Sequence, residues 1–250
     1  MNDWMPTTSS IRRTANRNRP PAVACCTKLG AGVAARSLPF VAYIVFLAAG
    51  PLLAAALPDI DRRWLYAVQI GCVAVLLAVF APRYIELHRS PRLGVFQWLA
   101  TLAAGVVVFL FWISLDQPWM KLGAGEAAGY DPRDAAGAVI WPLAAVRLFG
   151  AAAVVPVMEE LFWRSFVMRW LDRQDFLALS PAATGLHALL LSSLVFGVEH
   201  DLWLAGVVAG LAYGWLYMRT NSLWAPIAAH ALTNLLLGLW VLQSGNWRFW

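Results

Sequence analysis

Residues 93–115 read LGVFQWLATLAAGVVVFLFWISL, a run with no charged side chain between Arg92 and Asp116. At a helical rise of ~1.5 Å per residue it covers about 34 Å, enough to cross the ~30 Å hydrocarbon core of a bilayer. Working outward, further apolar runs occupy about 38–57, 64–81, 138–168, 184–199, 202–218 and 224–243. Over all 250 residues the hydrophobic set makes up 60%, charged residues 13%, and mean hydropathy is +0.62. These values lie well outside the range of an ordinary soluble domain. The chain therefore reads as all-α: a polytopic transmembrane helix bundle of about seven spans at 38–250, with the lipid bilayer as its solvent.

Residues 1–37 mix Pro20 and Pro21 with Ser, Thr, Asn and the basic residues Arg12, Arg13, Arg17, Arg19, Lys28 and Arg36. The composition predicts a flexible basic cytoplasmic tail. Arg12-Arg13 is not followed by an apolar export segment, which excludes a twin-arginine signal. Cys25, Cys26 and Cys72 cannot all pair internally, and the adjacent two read as small residues of a loose tail. The net charge of +5 is spread over the ends of apolar runs, so it sets topology and makes no nucleic-acid surface. Twelve Lys and Arg fall on the side of the N-terminus and five on the other, which predicts a cytoplasmic N-terminus and an external C-terminus. Trp64, Trp119, Trp141, Trp224, Trp247 and Trp250 suit interfacial anchoring, whereas Trp112 and Trp215 are expected inside the bundle.

Polarity is concentrated in the C-terminal half. The last four runs contain or end at Arg147, Glu159, Glu160, Arg164, His187, Glu199, His200 and His230. A charge at mid-bilayer costs roughly 3 kcal/mol on insertion scales, so such a cluster reads as a functional site, the alternative being a set of helix-packing ion pairs. Glu160 and Arg164 are four apart and share a helix face, which predicts an internal ion pair. Glu159 points about 100° away and lacks that partner, which suits a general base or acid. Phe196 and His200 share one face, as do His230 and Asn234. His187 reads as an interfacial or packing histidine, and Gly206 and Gly210 as a close helix approach. Arg147 either pairs within the bundle or snorkels.

Glu159-Glu160-x-x-x-Arg164, Phe196-x-x-x-His200 and His230-x-x-x-Asn234 occur in that order. Over about 140–243 the chain thereby resembles the intramembrane endopeptidases related to the type II CAAX prenyl protease, the CPBP or Abi family. The surrounding FWRSFVMRWL, FGVEHDLWLAG and HALTNLLLG look most like the exosortase-associated bacterial branch, which implies a bacterial plasma membrane. The resemblance implies a catalytic core at 140–243 in which Glu159 and His200 activate water while His230 and Asn234 bind the oxyanion. Glu160, Arg164 and Phe196 are then structural support, and the substrate is a membrane-associated or lipid-modified protein. No H-E-x-x-H is present, so no cofactor is expected; the alternative is zinc held by Glu159, His200 and His230.

Two rival functions use the same residues: a transporter or proton pathway, and a noncatalytic membrane scaffold or immunity protein. One expectation resists all three. If every run crossed fully, His200 would lie near the external end of its helix and His230 about two turns from the cytoplasmic end of the last. The fifth run, at ~16 residues, covers only ~24 Å, so His200 would be sunk below the surface.

Overall fold

A computed structural model describes residues 22–56, 61–122 and 129–250 of the chain. Each of the seven apolar runs is a helix. They are α1 (Ala22–Ala56), α2 (Leu65–Phe80), α3 (Val95–Ser114), α4 (Trp141–Asp172), α5 (Leu186–Val198), α6 (Trp203–Thr220) and α7 (Trp224–Ser244). Among the described residues the β-structure is one isolated bridge, Arg133 to Val139. Five of the seven helices, α1 to α4 and α7, are long and apolar enough to cross a membrane. The chain is an integral membrane protein.

Side chains are distributed as lipid solvent requires. Val95, Phe96 and Leu99 on α3 and Val68, Val75 and Val79 on α2 face outward, while Arg36, Glu159, Glu160, Arg164 and Arg169 are buried. Trp64, Trp119, Trp141 and Trp224 are partly exposed at helix ends, as interfacial anchors should be. Trp215 departs from expectation: it is 50% exposed, with the Arg219 guanidinium 5.8 Å from its ring. Its position near the end of α6 lets the indole meet a snorkelling cation instead of packing inward.

Contacts between connecting segments sort onto two ends. At one end Arg63 donates to the Asp131 and Arg133 carbonyls (3.1 and 2.6 Å), the Leu122 amide to Asp201 (2.8 Å), and Arg248 pairs with Asp116 (2.6 Å). At the other, Arg36 pairs with Glu86, Trp224 donates to the Leu87 carbonyl (3.0 Å), and Asn221 accepts from the Ala182 amide (3.0 Å). Successive connections alternate between these ends, the arrangement that seven crossings produce.

The tail expected at 1–37 is helical from Ala22, and residues 1–21 lie outside the described residues, as do the side chains of Cys25 and Cys26. Arg36 is fully buried; its Nε donates to Glu86 Oε1 at 2.7 Å and to Ser165 at 3.0 Å. A basic residue before an apolar run reads as a topogenic charge, because its partner fifty residues on is invisible to local spacing. Burial alone would push the Glu86 carboxyl up, but Arg36 and Ser165 hold it below its ordinary value. His187 is exposed and pairs with Asp172 at 2.9 Å, a peripheral place that agrees with its reading.

Two glycines set the spacing of α5 and α6. A Cβ at Gly206 would come within 2.9 Å of Gly197 Cα, and one at Gly210 within 2.8 Å of Ser193 Cα. The close approach places Phe196 of α5 opposite Tyr213 of α6, around the polar groups described next.

Candidate active site

α4 is not uniformly α-helical. It widens to π-helix at Gly150–Val154 and again at Leu161–Met168, with Val155–Glu160 as α-helix between. Pro156 accounts for part of this: its nitrogen has no hydrogen to donate, so the backbone preceding it cannot close every turn. The Val155 amide donates to the Gly150 carbonyl, and a π-type bond to the Ala151 carbonyl would need the hydrogen that Pro156 lacks. Asn234 fills the gap: its Nδ2 donates to the Ala151 carbonyl at 2.8 Å. A carbonyl can only accept, so this contact also fixes which end of the carboxamide faces α4.

The two adjacent glutamates sit between the π segments and diverge as their spacing predicts. Glu160, fully buried, forms an ion pair with Arg164 (Oε2 to Nε, 3.1 Å). Glu159 is 5% exposed, and its Oε2 has no hydrogen-bond partner. Glu160 has a second contact that helical spacing does not reveal: its Oε1 accepts from His230 Nδ1 at 2.9 Å. His230 Nε2 then faces Glu159 Oε2 at 4.0 Å.

Aromatic rings hold these groups in place. Tyr213 stacks on His230, with centroids 5.0 Å apart and planes 19° apart, and donates its hydroxyl to Thr233 (2.7 Å). Thr233 in turn donates towards the Gly105 and Ala229 carbonyls. Arg164 lies 4.4 Å from the Phe196 ring centroid, so Phe196 covers the cation that Glu160 neutralises. The Phe196 carbonyl accepts from His200 Nδ1 at 2.8 Å, which leaves the lone pair of the neutral ring on Nε2. Trp112 meets the His200 ring edge-on at 5.3 Å.

Glu159, His200, His230 and Asn234 all line one cavity of about 160 Å³, room for several water molecules. The depth conflict is thereby reconciled. α5 has 13 residues and covers about 20 Å, less than the ~30 Å hydrocarbon core, and His200, two residues past its end, lines the same cavity as Glu159. Tyr66, Arg147, Tyr213 and Thr233 also line the cavity. Of these only Arg147 attracts notice in the sequence; the others are uncharged residues of apolar helices, and only the tertiary packing selects them. Among the described residues no group of three or more His, Cys, Asp or Glu is placed to hold a metal ion.

Residues 141–236, which contain all of these side chains except those of Tyr66 and Trp112, match the family model for "Type II CAAX prenyl endopeptidase Rce1-like". This stretch is similar to the Rce1-like family. The Rce1-like segment is also similar to "Putative membrane peptidase YdiL" of Bacillus subtilis (strain 168), with 31% identity over 96 residues. That alignment covers 37% of this chain and 36% of the relative, so the chain matches about a third of that protein's length. No solved structure matches.

Proposed function

We propose that the chain is an intramembrane endopeptidase that hydrolyses a peptide bond in a membrane-associated or lipid-modified protein. The observation that carries the reading is the Glu159 carboxylate, buried with its Oε2 free of any hydrogen bond and 4.0 Å from His230 Nε2, on the wall of a cavity with room for several waters that His200, His230 and Asn234 also line. The Rce1-like match over 141–236 and the similarity to YdiL support the same reaction class.

In this reading Glu159 takes a proton from water while the His200 Nε2 lone pair orients it. The water oxygen adds to the substrate carbonyl. His230 Nε2 can donate to the resulting oxyanion when the ring is an imidazolium, and Glu160, bonded to Nδ1, is the carboxylate that balances that charge. Asn234 has one of its two amide hydrogens committed to Ala151, so it offers the oxyanion only the other. Collapse of the adduct breaks the C–N bond, and the proton held by Glu159 passes to the leaving amine. No metal enters this scheme.

The test is a comparison of membrane-protein termini in cells carrying the wild-type chain or Glu159→Gln. New termini present with the wild type and absent with the variant are expected, and they identify the substrate. Identical termini with full biological function in Glu159→Gln would point to a scaffold. Solute or proton flux in vesicles without peptide cleavage would point to a transporter. With the substrate in hand, chelation should leave the rate unchanged; loss restored by stoichiometric zinc would replace this scheme with a metal site.

A further inference from the structure

Arg147 is the cation on the cavity wall that the proposed mechanism leaves unused. The other arginines buried in the bundle each have a carboxylate: Arg36 and Arg169 share Glu86, and Arg164 has Glu160. Among the described residues no carboxylate stands within ion-pair distance of Arg147, and its Nε is shielded from solvent without a hydrogen-bond partner. The Tyr66 hydroxyl, on the same wall, is buried beside the Arg147 guanidinium and has no other hydrogen-bond partner. The ring of Tyr66 lies 4.4 Å from the Arg147 guanidinium carbon and that of Tyr130 5.4 Å, so two aromatic faces fix the cation without neutralising it.

A charge within a membrane bundle is costly unless it is paired. An arginine kept unpaired on a cavity wall, beside a hydroxyl that can also donate, is arranged for an anion that arrives from outside. Its position relative to the glutamates defines a distance. Arg147, Ala151, Val155 and Glu159 recur every four residues on α4 and all line the cavity. From Arg147 to Glu159 the helix axis advances at most about 18 Å, the α-helical value, since the π segment at Gly150–Val154 rises less per residue; an extended peptide covers that in about five residues or fewer at ~3.3 Å each. The long arginine side chain can reach back and shorten that count.

We propose that Arg147, with the Tyr66 hydroxyl, binds a substrate carboxylate about five residues or fewer from the bond cleaved at Glu159. The inference rests on the endopeptidase reading and makes Arg147 a specificity residue of that site. The carboxylate has two sources, the α-carboxylate of a chain end or an Asp or Glu side chain.

The experiment uses the purified full chain in detergent with pooled apolar decapeptides in three forms: free C-terminal acid, C-terminal amide, and amide carrying one internal Glu. Cleavage is followed by mass spectrometry, and binding by quenching of tryptophan fluorescence, since Trp112 and Trp250 line the cavity. The wild type should cleave and bind a carboxylate-bearing pool about tenfold or more better than the plain amide, the size expected of one hydrogen-bonded charge pair. A preference for the free acid assigns the chain end, and one for the internal-Glu pool assigns the side chain. Arg147→Gln should lose the preference, and Arg147→Lys should keep part of it. Equal treatment of acid and amide by the wild type, or an undiminished preference in Arg147→Gln, would overturn the proposal. The acid-against-amide comparison on the wild type needs no variant to fold. Absence of all cleavage alongside acid-selective quenching would instead remove the endopeptidase reading and leave Arg147 as an anion site. Absence of both cleavage and selective quenching would overturn both.

Discussion

The ion pair between Glu160 and Arg164 was legible in the sequence because it rests on helical spacing alone. Glu160 and Arg164 are four apart and do pair, even though the helix widens between them. The contact from Glu160 to His230 was not legible, because it joins residues seventy apart on different helices. That contact changes what Glu160→Gln should do. The substitution strands Arg164, and breaking a buried pair costs on the order of 3 to 5 kcal/mol. It also removes the carboxylate that accepts from His230 Nδ1 and orients that ring, so cleavage rate and melting temperature should fall together. A Glu160→Gln protein with wild-type cleavage and an unchanged melting temperature would show that neither contact matters. His230→Ala should lose roughly a hundred- to a thousand-fold in rate, the usual cost of one oxyanion donor, and full activity in that variant would remove His230 from the reaction.

At the scale of the element, α4 is where local reading reached its limit. The apolar run at 138–168 and its proline were visible, but the two π segments were not, because they depend on how the backbone accommodates Pro156 against neighbouring helices. Asn234 makes the consequence concrete: its amide satisfies the Ala151 carbonyl that Pro156 leaves open, besides facing the cavity. Inside a bilayer an unsatisfied carbonyl has no water to turn to. Asn234→Ala should therefore lower the melting temperature as well as the rate, by roughly 1 to 3 kcal/mol of stability. Asn234→Asp cannot donate to the carbonyl and should be no better. If Asn234→Ala melts with the wild type, Ala151 finds another partner and the side chain serves the cavity alone. The short α5 was anticipated from its run length; it ends at Val198, two residues before the cavity-lining His200.

At the scale of the whole molecule, hydropathy revealed the bundle and its seven helices, since lipid demands long apolar runs whatever their neighbours. The extent of α1 was hidden, because Arg36 reads as part of a basic tail and the Glu86 and Ser165 groups that hold it inside the bundle come from other elements. The two-ended sorting of the connections fits the alternation of basic residues, and with the positive-inside rule it predicts that reporters fused to the two termini fall on opposite sides, the N-terminal one in the cytoplasm. Reporters on the same side would contradict seven crossings. The cavity in the middle of this bundle carries the central claim, and its most direct test is the cleavage rate of Glu159→Gln, purified in lipid and read beside its melting temperature. The account predicts a rate lower by roughly two to four orders of magnitude, the range for lost acid-base catalysis, at an unchanged melting temperature. Wild-type cleavage by a well-folded Glu159→Gln protein would contradict it.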